Sequence, residues 1–276
     1  MNTIDKYKLE GKIAIITGGA GLLGVKHAEV IAEAKGIPIL WDIDLESAQI
    51  KSQEISDKYG TTCLGMGIDI TEAKFVKNGL KDVLDSFQRV DILINNAAND
   101  PKVNEDSNLS LSRFENFQHS MWQQDIDVGL TGAYLCCQVI GTYMSQQNTG
   151  GVILNIASDL GIIAPDQRIY RREKLDEDKQ PVKPITYSVI KHGLIGMTKY
   201  LATYWADKNV RVNTISPGGI FTNQPQDFVK KLTSLIPMGR MARVDEYKAA
   251  VLFLISDASS YMTGANLIVD GGRTCW

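Results

Sequence analysis

The sequence predicts an α/β fold, a doubly wound parallel sheet of about seven strands with helices on both faces. Three observations predict it. Short apolar runs alternate with longer amphipathic stretches along the whole chain. The runs are apolar at nearly every position, as in Ile13-Ala14-Ile15-Ile16 and Val152-Ile153-Leu154-Asn155-Ile156, which suits strands covered on both faces. No shift in composition marks a linker, so residues 1–276 read as one domain of right-handed βαβ crossovers. With 44% hydrophobic residues, the chain has enough apolar surface for a large core.

Taken in order, strands are expected at 12–16, 37–41, 62–66, 91–94, 152–156, 210–215 and 266–269. Helices are expected at 22–35, 45–59, 72–88, 120–147, 186–207 and 245–256, with a shorter one at 226–235. The adjacent Cys136 and Cys137 fall inside the 120–147 pattern and read as small buried thiols. The four cysteines form no CxxC pair, and with three histidines they give no metal-ligand spacing, so no metal is expected. Free thiols point to a reducing, cytoplasmic setting. No run reaches membrane-spanning length, and residues 1–10 carry no apolar signal core. A net charge of −3 from 29 basic and 32 acidic residues leaves no footprint for nucleic acid or an anionic membrane. The expected partner is a small molecule.

Two clusters carry chemistry. The first follows the opening strand, where Thr17-Gly18-Gly19-Ala20-Gly21-Leu22-Leu23-Gly24 leads into a helix rich in Ala, Val and Ile. Glycines let such a turn approach a pyrophosphate closely, and the amides and dipole at the following helix start stabilise its charge. Asp42, directly behind the second strand, is placed to accept hydrogen bonds from the ribose hydroxyls of the adenosine half. It would repel a 2′-phosphate by ~4 kcal/mol at 4 Å and an effective dielectric of about 20, so NAD is favoured over NADP. A competing reading makes Asp42 or Asp44 the cap of the next helix.

The second cluster is Tyr187-Ser188-Val189-Ile190-Lys191, opening an apolar helix, with Ser158 at the end of a buried strand. Residues four apart share a helix face, so the Lys191 ammonium can sit beside the Tyr187 phenol and stabilise its phenolate. Ser158 would add a hydroxyl to polarise a substrate oxygen.

Together these residues resemble the short-chain dehydrogenase/reductase family, in the family's order and along nearly the whole chain. Residues 17–24 look like its glycine motif, within a Rossmann-type sheet, and Asp69-Ile70 like its adenine-contacting pair. Asn95-Asn96-Ala97-Ala98 looks like its segment after the fourth strand. Ser158, Tyr187 and Lys191 match its catalytic residues. Pro217-Gly218-Gly219-Ile220-Phe221-Thr222 resembles the stretch that receives the nicotinamide carboxamide, and residues 261–264 and 269–272 its carboxy-terminal signature. The resemblance implies carbonyl–alcohol interconversion by hydride transfer, with NADH or NAD, Tyr187 as acid/base and Lys191 also bonding the nicotinamide ribose. It further implies a symmetric homo-oligomer, a tetramer foremost.

Three departures stand out. Leu22 occupies a position where the family usually has glycine, and Gly129 stands where it usually has an asparagine of the proton relay. Ser158 and Tyr187 are 29 positions apart, a much longer connection than the family's usual one, and the excess lies at 165–184. Because its ends border the site, this insert is expected to act as a lid or specificity element. Its Arg168, Arg171, Arg172 and Lys174 are candidates for binding a phosphate or carboxylate, against the alternative of a solvated helix with internal charge pairs. Arg240 and Arg243 could contact an anion, while the resemblance implies that they secure a flap and the subunit edge.

More narrowly, the glycine turn, residues 167–170 and residues 236–243 resemble the flagellin-modification branch, associated with legionaminic acid and related surface sugars. That implies a sugar phosphate, amino-sugar or nucleotide-sugar substrate. Alternatives are a 3-oxoacyl or polyol reductase, or a noncatalytic NAD-binding sensor or partner subunit.

Overall fold

Apolar runs that must be covered on two faces assemble here into the centre of one parallel sheet. The computed structural model describes residues 2–99, 109–173 and 175–276. The strands are β1 (Ile13–Thr17), β2 (Ile37–Asp42), β3 (Leu64–Gly67), β4 (Ile92–Asn95), β5 (Gly151–Ile156), β6 (Val210–Pro217) and β7 (Asn266–Val269). They lie in the order β3-β2-β1-β4-β5-β6-β7, every neighbouring pair parallel. The main helices are α1 (Leu22–Glu33), α2 (Leu45–Tyr59), α3 (Ala73–Phe87), α4 (His119–Ile126), α5 (Gly132–Cys136), α6 (Thr142–Gln146), α7 (Ile185–Tyr204), α8 (Gln226–Thr233) and α9 (Lys248–Ile255).

Alternate residues of β1 face opposite layers. Ala14 and Ile16 pack with Ala28 and Ile31 of α1 and Val251 and Leu254 of α9. Ile13 and Ile15 pack with Val76 and Leu80 of α3, Met144 of α6 and Ala202 of α7. Ile15 and Ile16 are fully buried, and burial of a side chain that size contributes roughly 1.5–3 kcal/mol. Cys136 and Cys137 are buried with them, and desolvation pushes the Cys137 thiol up to about 12. This agrees with their reading as inert core groups.

Most element ends differ from expectation by a few residues at most, and some of the differences alter the architecture locally. Strand β3 starts two residues late. The expected 120–147 helix runs continuously but contains two π turns, Asp127–Thr131 and Cys137–Gly141. Helix α9 begins at Lys248 because Glu246 ties residues 240–246 into a turn. Its carboxylate accepts from the Arg240 guanidinium at 2.6 Å and from the Arg243 amide at 2.7 Å, which holds its pKa down at about 2. Arg240 thus secures a turn through Glu246.

Order reverses between β1 and β4, so crossovers leave to opposite faces and open a crevice at the carboxyl ends of the strands. Asp42, Ser158 and Pro217 lie at that edge, as does the turn after β1. Among the described residues no helix is long and apolar enough to cross a membrane, and no cluster of His, Cys, Asp and Glu could hold a metal ion.

Candidate active site

One cavity of about 710 Å³ occupies this crevice. Its walls begin with the turn after β1. Gly18 adopts φ +60°, and a Cβ there would stand 2.9 Å from the Ala97 Cα. Gly24 does not face the cavity. It is the packing glycine, since a Cβ on it would lie 2.2 Å from the Gly18 carbonyl oxygen. Leu22 keeps its side chain outside this contact, 54% exposed on the rim as the first residue of α1. The turn therefore keeps its close backbone approach with leucine at the unusual position. Gly21 caps α1 without a side-chain hydrogen bond, so no side chain competes for the amides of the first turn. A pyrophosphate fits this cradle.

Asp42, which ends β2, and Asp44, just beyond it, separate by role. Asp44 is the cap of α2, accepting from the Ser47 amide at 3.0 Å and its hydroxyl at 2.6 Å. Asp42 faces the cavity, and its carboxylate accepts from the Ala20 amide in the glycine turn at 3.0 Å. Asp69 and Ile70 border the same end, with Asp69 closing a turn onto Thr71. Asn96 also lines the cavity, but its side-chain amide donates to the Thr17 and Gly18 carbonyls at 3.0 Å each. Asn96 thereby props the turn open, while Ala97 and Leu23 add apolar wall.

Ser158, Tyr187 and Lys191 meet at the opposite end. Lys191, 5% exposed, donates to the Ile156 carbonyl at 2.8 Å and sits 5.7 Å from the Tyr187 ring centroid. The insert contributes a second ammonium, since Lys183 Nζ lies 3.8 Å from the same centroid. Ser158, also 5% exposed, donates to Asp159 Oδ1 at 2.7 Å. Asp159 Oδ2 accepts from Arg273 Nη1 at 2.7 Å. Neither Asp159 nor Arg273 stands out in the sequence; the one signal is a cation directly behind the last strand's glycine pair. Pro217, Gly218, Ile220 and Thr222 form the remaining wall, with the Tyr247 hydroxyl donating to the Gly218 carbonyl at 2.9 Å.

The insert borders the cavity through other residues than its arginines. Ile169 and Tyr170 line it and pack on Phe228, Leu232, Ile236 and Met241, with the Tyr170 and Phe228 rings 5.6 Å apart. Arg168, 83% exposed, pairs with Asp166 at 2.7 Å, and Arg171 pairs with Glu177. Arg172 likewise does not line the cavity, and its backbone is held by Gln180. Carboxylates close in the chain thus pair with Arg168 and Arg171, and none of the three arginines lines the cavity. Lys174 lies outside the described residues. The segment is two short turns, Gln167–Tyr170 and Glu177–Lys179, rather than one helix.

Gly129 has a packing explanation. A Cβ on it would stand 2.9 Å from two carbons of Ile190, the neighbour of Lys191 on α7. The π turn and the glycine together let α7 approach. His192 lies on the exposed face of α7 and bonds Ser188.

A family model described as short chain dehydrogenase matches residues 12–170, and one described as Enoyl-(Acyl carrier protein) reductase matches residues 178–274. D-threitol dehydrogenase of Mycolicibacterium smegmatis is 32% identical over 97% of this chain and 95% of its own. NADP-dependent mannitol dehydrogenase of Alternaria alternata is 33% identical over 97% of this chain and 94% of its own. The structure of a gluconate 5-dehydrogenase from Burkholderia cenocepacia, in complex with NADP and tartrate, superposes with a TM-score of 0.84 at 25% identity, covering 100% of both chains. The chain belongs to the short chain dehydrogenase family and is an oxidoreductase of that type.

Proposed function

We propose that the protein is an NAD(H)-dependent dehydrogenase that interconverts a secondary alcohol and a ketone on a sugar-derived, polyhydroxylated substrate. The observation that carries this reading is the convergence of Ser158, Tyr187 and Lys191 on one cavity whose far end presents Asp42 beside the glycine turn. The nicotinamide, when bound, supplies the hydride acceptor or donor. Tyr187 takes the proton from the alcohol oxygen as the carbinol hydrogen leaves with its electron pair, and returns that proton in the reverse direction. Lys191 and Lys183 surround the ring with positive charge, which favours the phenolate. Ser158 holds the substrate oxygen against Tyr187 after exchanging its bond to Asp159. Lys191, anchored on Ile156, cannot swing away from the tyrosine.

Several relatives act on polyols, which supports the substrate class. Relatives divide between NAD and NADP, so the NAD preference rests on Asp42, whose carboxylate is fixed by the Ala20 amide at 3.0 Å. The resemblance of the glycine turn and the 236–243 stretch to the flagellin-modification branch supports a place in surface-glycan metabolism, with a homo-oligomeric enzyme. The sensor alternative loses its basis in Gly129, which Ile190 requires for packing. The test is a titration with NADH and NADPH followed by turnover on a panel of polyols and amino sugars. NADH-selective binding with turnover of at least one member is expected. Binding of NADPH in preference, or turnover untouched in Tyr187→Phe, would overturn it.

A further inference from the structure

Arg273 and Arg211 are both cations withdrawn from solvent, and they are treated differently by their surroundings. Arg211 is saturated: its guanidinium donates to the carbonyls of Leu254, Ser256 and Met262 and to the Ser259 hydroxyl. That is an arginine used as structural glue. Arg273, 6% exposed, has a single side-chain hydrogen bond among the described residues, from Nη1 to Asp159 at 2.7 Å, and it forms part of the cavity wall. A guanidinium carries five N–H donors. Its remaining N–H groups are not sealed in the core but open on the cavity, where a ligand's acceptors can reach them.

Its position is built. Asp270 accepts from the Gly272 and Thr274 amides at 2.8 Å each, fixing the turn on either side of Arg273. Asp159 is close to saturation, with Oδ1 accepting from Ser158 at 2.7 Å and Leu160 at 2.8 Å and Oδ2 from Arg273. What this wall lacks is therefore acceptors, next to the serine that meets the reacting oxygen. A carboxylate offers acceptors only, and its two oxygens match the remaining edge of a guanidinium.

We infer that Arg273 is a specificity residue and that the substrate is a carboxylated polyol, a sugar acid whose carboxylate docks on Arg273 while its secondary alcohol or ketone reaches Ser158 and Tyr187. This deepens the dehydrogenase reading and rests on it for the redox step, which is unchanged; binding at Arg273 is testable alone. The experiment is calorimetric titration of the NADH-saturated protein with D-gluconate and with D-sorbitol, which carries a hydroxymethyl group in place of the carboxylate. With NADH in place these alcohols bind without turning over. Gluconate should bind at least thirtyfold more tightly than sorbitol. That ratio should drop severalfold in Arg273→Lys, which keeps the charge and loses the fork, and fall to near one in the charge-neutral double variant Asp159→Asn/Arg273→Gln. NADH titration of each variant reports whether the fold is kept, and Arg273→Lys decides if the double variant misfolds. Undetectable gluconate binding, a wild-type ratio near one, or a preference surviving in every folded variant overturns the inference. Failure of the dehydrogenase reading shows separately, as turnover indifferent to Tyr187→Phe with the binding ratio intact.

Discussion

At the scale of single residues, the site's chemistry reduces to which groups can give up a proton and which carboxylate meets the cofactor. Tyr187→Phe keeps the ring between Lys183 and Lys191 and removes the proton. Turnover should fall about 10²–10⁴-fold with NADH affinity within a few-fold of wild type, as steady-state rates and fluorescence titration would show. Asp42→Ala removes the carboxylate beside the glycine turn, and the NADH-over-NADPH preference should shrink by at least tenfold; an unchanged ratio would move the ribose contact elsewhere. His27 on α1 offers a pH prediction. Its imidazole is buried, and desolvation, only partly offset by the neighbouring Asn96 side chain, pushes its pKa down from 6.5 to about 4. The unfolded chain binds the proton first, so stability is complete above about pH 6.5 and is lost as pH falls toward 4, by about 3 kcal/mol. Denaturant melts of His27→Leu across this window should lack that component of the slope.

At the scale of elements, the insert and α8 act as one cover. Ile169 and Tyr170 give the insert an apolar foot on Phe228 and Leu232, and Lys231 donates to the Arg171 carbonyl at 2.8 Å. Phe228→Ala should therefore raise substrate KM and speed proteolysis within 165–184 while leaving NADH affinity intact, read by initial rates and limited proteolysis. If neither moves, the two elements are not coupled. The insert also marks where the sequence was readable and where it was not. Its presence beside the site followed from the Ser158–Tyr187 spacing, because a loop joining two converging residues must border them. Its arginines left two readings open, and Asp166 and Glu177, close in the chain, pair with Arg168 and Arg171. Apolar contacts of Ile169 across to α8 leave no periodic trace in so short a turn.

At the scale of the whole molecule, the parallel sheet of about seven strands was legible because strands covered on both faces have to be mostly apolar, as β1, β4 and β5 are. The glycine turn and the meeting of Ser158, Tyr187 and Lys191 in one cavity were legible because they follow local spacing. Asp159 and Arg273 were not, being 114 positions apart and joined only when β5 and β7 reach the same sheet edge. Because the crevice draws on turns from nearly every strand, a bound dinucleotide ties together elements far apart in the chain. At a hundredfold excess over Kd it should stabilise the fold by ~2.7 kcal/mol, raising Tm by roughly 5–10 °C. Thermal melts should show the larger rise with NADH than with NADPH, and Asp42→Ala should bring the two together.

The contact between Gly129 and Ile190 also constrains the order in which this sequence can change. An asparagine introduced at 129 meets Ile190 carbons at 2.9 Å before it can do anything useful, so it is unfavourable on the present background. A smaller residue must first appear at 190, and that step alone opens a void beside Lys191. The two positions are coupled by packing: each change alone costs stability, and the pair together relieves the clash and the void.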